Sequence, residues 1–162
     1  VYPRPTPGST FVRDTAKGYT ASRALDTLPQ TVASPGEALF TITGGRVLVT
    51  RLVGEVTTTA IEGTNPVLSV TSAPTVGTAV VLASTVDASS LEIGGFLSVE
   101  GDGSALVKSN AGAVLATAVP TAFIVPVGSI GLISGANKTG AMKWDLTYFP
   151  LDEGAAVVGT TV

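Results

Sequence analysis

Neither cysteine nor histidine occurs anywhere in the chain. The first absence rules out a disulfide framework, a thiolate nucleophile and any thiolate-ligated metal. The second removes Ser-His-Asp and Cys-His catalysis, most zinc sites and the side chain that most often moves protons near neutral pH. Only carboxylate-based or lysine-based chemistry stays open. Charge is scarce too, at 13% of residues against 44% hydrophobic, which leaves little to shield apolar surface from water and fits a chain that covers that surface with a partner subunit. No apolar run reaches the roughly 18–20 residues of a membrane helix, and the longest, Ala118 to Val127, is broken by Pro120 and Pro126. No membrane partner is therefore expected. No secretory leader is expected either, since Pro3, Pro5, Pro7 and Gly8 stand where its apolar segment would be.

What the chain has in abundance is β-branched residues, 22 Val, 23 Thr and 6 Ile, punctuated by 19 Gly and 10 Pro. That rhythm predicts an all-β fold of about ten short strands, an antiparallel β-sandwich or jelly-roll-like domain over 37–162. Residues 1–36 read as an extended, Pro-rich arm because Pro3, Pro5, Pro7, Pro29 and Pro35 fix φ and remove ladder donors; a two-turn helix over Ala21 to Leu28 is the one alternative within it. The arm is basic. Residues 1–23 carry Arg4, Arg13, Lys17 and Arg23 against Asp14, a net +3, whereas residues 24–162 carry five basic and eleven acidic groups, a net −6. A basic arm on an acidic body can be steered onto a negative partner surface. A nucleic-acid role would need a basic stripe with aromatics, and the acidic body would repel phosphate, so no nucleic acid is expected.

Two strand groups stand out. Ala38 to Thr43 and Arg46 to Thr59 flank Gly44-Gly45, a two-residue connection that predicts a hairpin. The second of these strands is apolar on both faces, with Val47, Val49 and Val53 on one and Leu48, Leu52 and Val56 on the other, as in a strand central to a sandwich or held between subunits. Further strands are expected at Pro66 to Ser72, Gly77 to Ser84, Phe96 to Glu100, Ala105 to Lys108, Phe123 to Val127 and Ser129 to Ser134. In Ala141 to Phe149, strict alternation puts Met142, Trp144, Leu146 and Tyr148 on one face, which is expected to be core. Pro150 ends that strand, and Leu151 to Gly154 turns the chain out to an apolar tail, Ala155 to Val158.

Candidate chemistry is thin. Gly101-Asp102-Gly103-Ser104 lacks the third glycine and the helix that would aim amides at a phosphate, and reads as a β-turn. Glu100 and Asp102 lack the alternating oxygen run of a calcium loop. Asn137-Lys138-Thr139 matches a glycosylation acceptor but reads as loop. Sequence brings no two carboxylates to the separation a glycosidase needs. No catalytic residue, metal, cofactor or small-molecule substrate is expected, and the chain is not expected to be an enzyme.

Two segments carry a resemblance: ALFTITGGRVLVTRLVGEVTTT, from Ala38 to Thr59, and PVGSIGLISGANKTGAMKWDLTYFPLDEGAAVV, from Pro126 to Val158. The strand-Gly-Gly-strand opening, the turn at Gly128 to Ile130, Thr139-Gly140, the strand Trp144 to Leu151 and the tail Gly154 to Val157 resemble a family of small β-rich phage virion structural proteins of the head-decoration type. The likeness covers about a third of the chain, has a variable middle, and excludes residues 1–36. It implies a capsid decoration (cement) protein on the capsid surface of the virion, a homo-oligomer, expected to be a trimer, whose partner is the major capsid protein. On that reading Arg4, Arg13, Lys17 and Arg23 form a capsid-binding arm, and Trp144, Leu146 and Tyr148 are structural core. The alternative is a receptor- or glycan-binding module of a tail or head fibre, for which Phe96, Phe123 and Phe149 are the candidate aromatics.

Overall fold

A computed structural model describes residues 18–110 and 121–160. The described chain is all-β, in fourteen strands: β1 (Tyr19–Leu25), β2 (Val32–Thr43), β3 (Val47–Val56), β4 (Glu62–Gly63), β5 (Val67–Pro74), β6 (Val80–Asp87), β7 (Phe96–Ser98), β8 (Gly103–Ala105), β9 (Val107–Ser109), β10 (Phe123–Val125), β11 (Gly128–Ser134), β12 (Lys138–Thr139), β13 (Met142–Pro150) and β14 (Ala156–Gly159). One six-stranded sheet runs β1-β13-β3-β7-β9, with β10 also on β3; the other runs β14-β2-β11-β5-β6-β8, and β12 pairs with β4 apart from both. Pairing is antiparallel except between β6 and β8. Inward residues of both large sheets, among them Phe40, Ile42, Leu52, Val70, Ile130, Leu132, Trp144 and Leu146, form one hydrophobic cluster. This is a sandwich built around a single core.

The expected hairpin at Gly44-Gly45 does not form. β2 pairs with β11 and β14 in one sheet, and β3 pairs with β13, β7 and β10 in the other. Each strand is central in its own sheet, so no edge is left for the two to share, and the Gly-Gly step carries the chain between layers. Gly44 has φ +75°, and a Cβ there would fall 2.0 Å from the Gly154 carbonyl oxygen, so the crossover is closed by backbone against backbone.

The double-faced apolar pattern of β3 has a local cause. Its register against β13 slips between Thr147 and Tyr148, where Tyr148 faces Val49 and Thr147 faces Arg51. The extra residue reverses the alternation. Val47 and Val49 point inward before the bulge, and Leu52, Gly54 and Val56 after it. A strict period of two could not represent that.

The stretch Ala21 to Leu28 is not helical. Tyr19–Leu25 is an edge strand paired residue for residue with β13, burying Ala21, Arg23 and Leu25 while Thr20, Ser22 and Ala24 face out. Two helical turns cannot offset the cost of helix nucleation, whereas β13 offers a full ladder. The arm reading over 1–36 fails from residue 19 onward for the same reason, because β1 and the start of β2 belong to the two sheets. At the other end, the tail expected after Gly154 is β14, an edge strand on β2.

In β13 the expected core face is as read: Met142, Trp144, Leu146 and Tyr148 are buried and alternate with more exposed neighbours. Trp144 lies opposite Gly54, where a Cβ would come within 2.9 Å of the indole ring and 2.7 Å of the Met142 methyl. The indole thus occupies the space a side chain at position 54 would need. Its Nε1 is buried without a hydrogen-bond partner among the described residues, a cost that the burial of the ring outweighs. Across the core, the Tyr148 hydroxyl accepts a hydrogen bond from the Val157 N–H at 3.1 Å and ties β13 to β14 in the opposite sheet. Truncating the ring in Trp144→Ala is expected to lower the unfolding free energy by about 3–5 kcal/mol, and overpacking the same contact in Gly54→Ala by about 1–3 kcal/mol, both read from urea denaturation. A neutral Gly54→Ala would show that β3 does not close on the indole.

Candidate interaction surfaces

Of the four arm residues, Arg4, Arg13 and Lys17 lie outside the described residues. Arg23 is placed and is not available to a partner. It occupies an inward position of β1, its side chain only 4% exposed, with Nη2 donating to Glu37 Oε1 at 2.7 Å and Nη1 donating to the Thr160 carbonyl. One guanidinium therefore joins β1 of the first sheet to β2 and to the end of β14 in the second, closing one side of the sandwich. Removing it would leave Glu37 without its cation, a loss toward the lower end of the roughly 3–5 kcal/mol for a broken buried pair, since the Glu37 side chain is about a third exposed. The basic count of the N-terminal segment thus overstated its free charge. A truncation through residue 23 would also remove most of β1 and so cut into the sheet itself.

The two ends of the sandwich differ. At one end lie the Gly44-Gly45 crossover, the β5–β6 tip, the Val127-Gly128 turn and the turn after Pro150. Here Arg46 and Asp152 form a bidentate pair at 2.8 and 3.0 Å, and the Arg46 N–H also donates to Asp152 at 2.7 Å. These donors hold the Asp152 carboxyl at about 2. At the opposite end, Lys138 is buried with its ammonium donating to the Pro29 and Gly135 carbonyls, and Gln30 bonds both the N–H and the carbonyl of Lys138. Burial pushes the Lys138 ammonium below its ordinary value. The Asn137-Lys138-Thr139 triplet is thus β12 and its turn: Asn137 has φ +53° and its carbonyl accepts from Thr64. A lysine holding loops together by carbonyl contacts carries no sequence signal.

Shallow clefts lie at the Lys138 end and on the outer face of the first sheet. Glu62 and Glu92 share one of about 380 Å³ with Ser89, Ser90 and Leu91. Both carboxylates are exposed, so neither has the apolar surroundings that turn one of a pair into a general acid. Asp102 caps its own turn, held below the usual carboxylate range by hydrogen bonds from Ser104, and Asp87 is held low in the same way by Ser89. Among the described residues no three His, Cys, Asp or Glu side chains gather as a metal site. The aromatics divide: Phe123 packs against the core, Phe149 stands half-buried beside Gly18, and Phe96 lines a cleft of about 200 Å³ on the outer face of the first sheet with Arg51, Val53, Glu55, Asp145 and Thr147.

The β5–β6 tip is an exposed, uncharged surface to which none of these contacts assigns a role. No charged residue occurs between Glu62 and Asp87. Every residue from Thr75 to Val81 is exposed, Val76 at 90%, Val80 at 60% and Val81 at 49%. Leu151, at 44%, lies at the same end of the sandwich. Comparison with protein-family models, with curated proteins and with solved structures finds no match for this chain.

Because the folded carboxyl of Asp152 is depressed, its contribution is full above the unfolded carboxylate value of about 4 and is lost as pH falls toward about 2. Asp152→Asn is expected to lower the thermal midpoint at pH 7 in low salt, with the gap to the parent closing between about pH 4 and pH 2. A gap that stays constant across that window would show that the pair does not act through its charge.

Proposed function

We propose that the chain is a virion structural protein of the capsid-decoration type, a non-enzymatic homotrimer that binds the major capsid protein on the head surface and reinforces the lattice. The observation that carries this reading is the uncharged, fully exposed β5–β6 tip. An exposed β-hairpin with valines and no charged residue is a liability for a free monomer, and a surface of that composition is suited to burial against another protein. The motifs of Ala38 to Thr59 and Pro126 to Val158 support the same reading, and so does a core that spends its buried cations, Arg23 and Lys138, on tying elements together. Trimerisation would present three such tips at once, so that contacts of modest strength combine into stable attachment. The arm is a smaller part of this proposal than composition implied, because Arg23 is internal and only Arg4, Arg13 and Lys17 are left for a clamp.

The test is co-sedimentation of the purified chain with assembled heads. Val76→Asp combined with Val80→Asp changes only exposed side chains, so the thermal midpoint is expected to hold while capsid binding falls at least about tenfold, the equivalent of about 1.4 kcal/mol. Full binding by a folded double variant would remove the tip from the interface.

A further inference from the structure

We propose that the Phe96 cleft on the outer face of the β1-β13-β3-β7-β9 sheet is a binding site for a neutral saccharide. This inference stands apart from capsid attachment, since the cleft lies in the middle of one sheet while the uncharged tip projects from the end of the other.

The bulge in β3 creates the site. Beyond it, Arg51, Val53 and Glu55 all face outward, with Val53 flanked by Asp145 on β13 and Glu55 flanked by Phe96 on β7. Arg51 and Glu55 are four residues apart on one strand, roughly 13 Å at about 3.3 Å per residue. Among the described residues neither makes an ion pair with another side chain, whereas Asp145 is held by Ser22 and lies 3.3 Å from the Lys143 ammonium. The cleft thus offers a free guanidinium at one end and a free carboxylate at the other. Asp145 and the Thr147 hydroxyl add polar groups, and Val53 and the half-buried Phe96 ring supply apolar surface between.

The chemistry of the lining selects the ligand class. An anion is disfavoured because the two cations of this face, Arg51 and Lys143, are matched by two carboxylates, Glu55 and Asp145, which leaves no net positive charge. An extended peptide recognises a sheet through the free N–H and C=O groups of an edge, and here the backbone of β3 is paired on both sides by β13 and β7. A purely apolar ligand would desolvate Arg51 and Glu55 without offering either a partner. A sugar ring meets each demand: its hydroxyls both donate and accept, so one molecule can satisfy a guanidinium and a carboxylate together, and its C–H face can pack on Phe96 and Val53. At about 200 Å³ the cleft is smaller than the roughly 300–1,000 Å³ of most small-molecule pockets, which implies weak binding per site.

The experiment is an array of neutral and N-acetylated oligosaccharides probed with the full chain, followed by an NMR titration of the ¹⁵N-labelled protein with the best hit. Binding is expected, with shifts at Phe96, Val53 and Asp145, and Arg51→Ala and Glu55→Gln are each expected to weaken it about tenfold with the thermal midpoint unchanged. Should either substitution disturb folding, Thr147→Val serves as the independent variant. The proposal is overturned if no saccharide on the array binds, or if the folded variants bind as the parent does. Neither result bears on co-sedimentation with capsids.

Discussion

The contact between Trp144 and the bare backbone of Gly54 sets the geometry on which the other features of the fold rest. It pins β13 to β3 in the centre of one sheet and fixes their register from Met142 to Thr147, so the slip that follows is confined to the Thr147–Tyr148 step. From that slip come two consequences on opposite faces. Inward, Val47 and Val49 join Leu52 and Val56 in one core; outward, Arg51, Val53 and Glu55 share a face beside Phe96. β13 also seats β1 along its other edge, and β1 brings Arg23 to the seam where the two sheets meet. Stability and surface chemistry therefore derive from one strand pair.

Much of this architecture is legible in the residues. The β-branched content announces an all-β chain, and the alternation Met142-Trp144-Leu146-Tyr148 marks both a strand and its buried face, because β13 is regular from end to end inward of its single slip. Where the reading fails, tertiary context overrides local pattern. Gly44-Gly45 has the composition of a hairpin turn, but turn composition reports only that the chain reverses, not whether the flanking strands pair or part into two layers. Tyr19 to Leu25 hides its alternation because the middle inward residue is an arginine, and only the distant partners Glu37 and Thr160 make that position tolerable. In β3 the bulge mixes two phases, which no fixed period recovers.

The surfaces were legible in part. That the chain carries too little charge to cover itself is plain from composition, and the charge-free span between Glu62 and Asp87 is visible once sought. That this span forms an exposed tip, rather than a buried strand pair, depends on the chain around Pro74 to Val80 projecting beyond the sheet. Phe96 was a candidate aromatic from the sequence, but the cleft around it was out of reach, since it gathers residues from β3, β7 and β13 whose proximity follows from sheet order alone. Arg23 shows the opposite error, in which a residue assigned to a partner on grounds of charge proves to be an internal tie.

The proposed role as a repeated structural component of a virion head is tested most directly by the copy number of this chain in purified virions, measured by quantitative mass spectrometry against the major capsid protein. A simple whole-number ratio to the capsid lattice is the predicted result. A handful of copies per particle, as for a tail or vertex component, or absence from the particle, would contradict it.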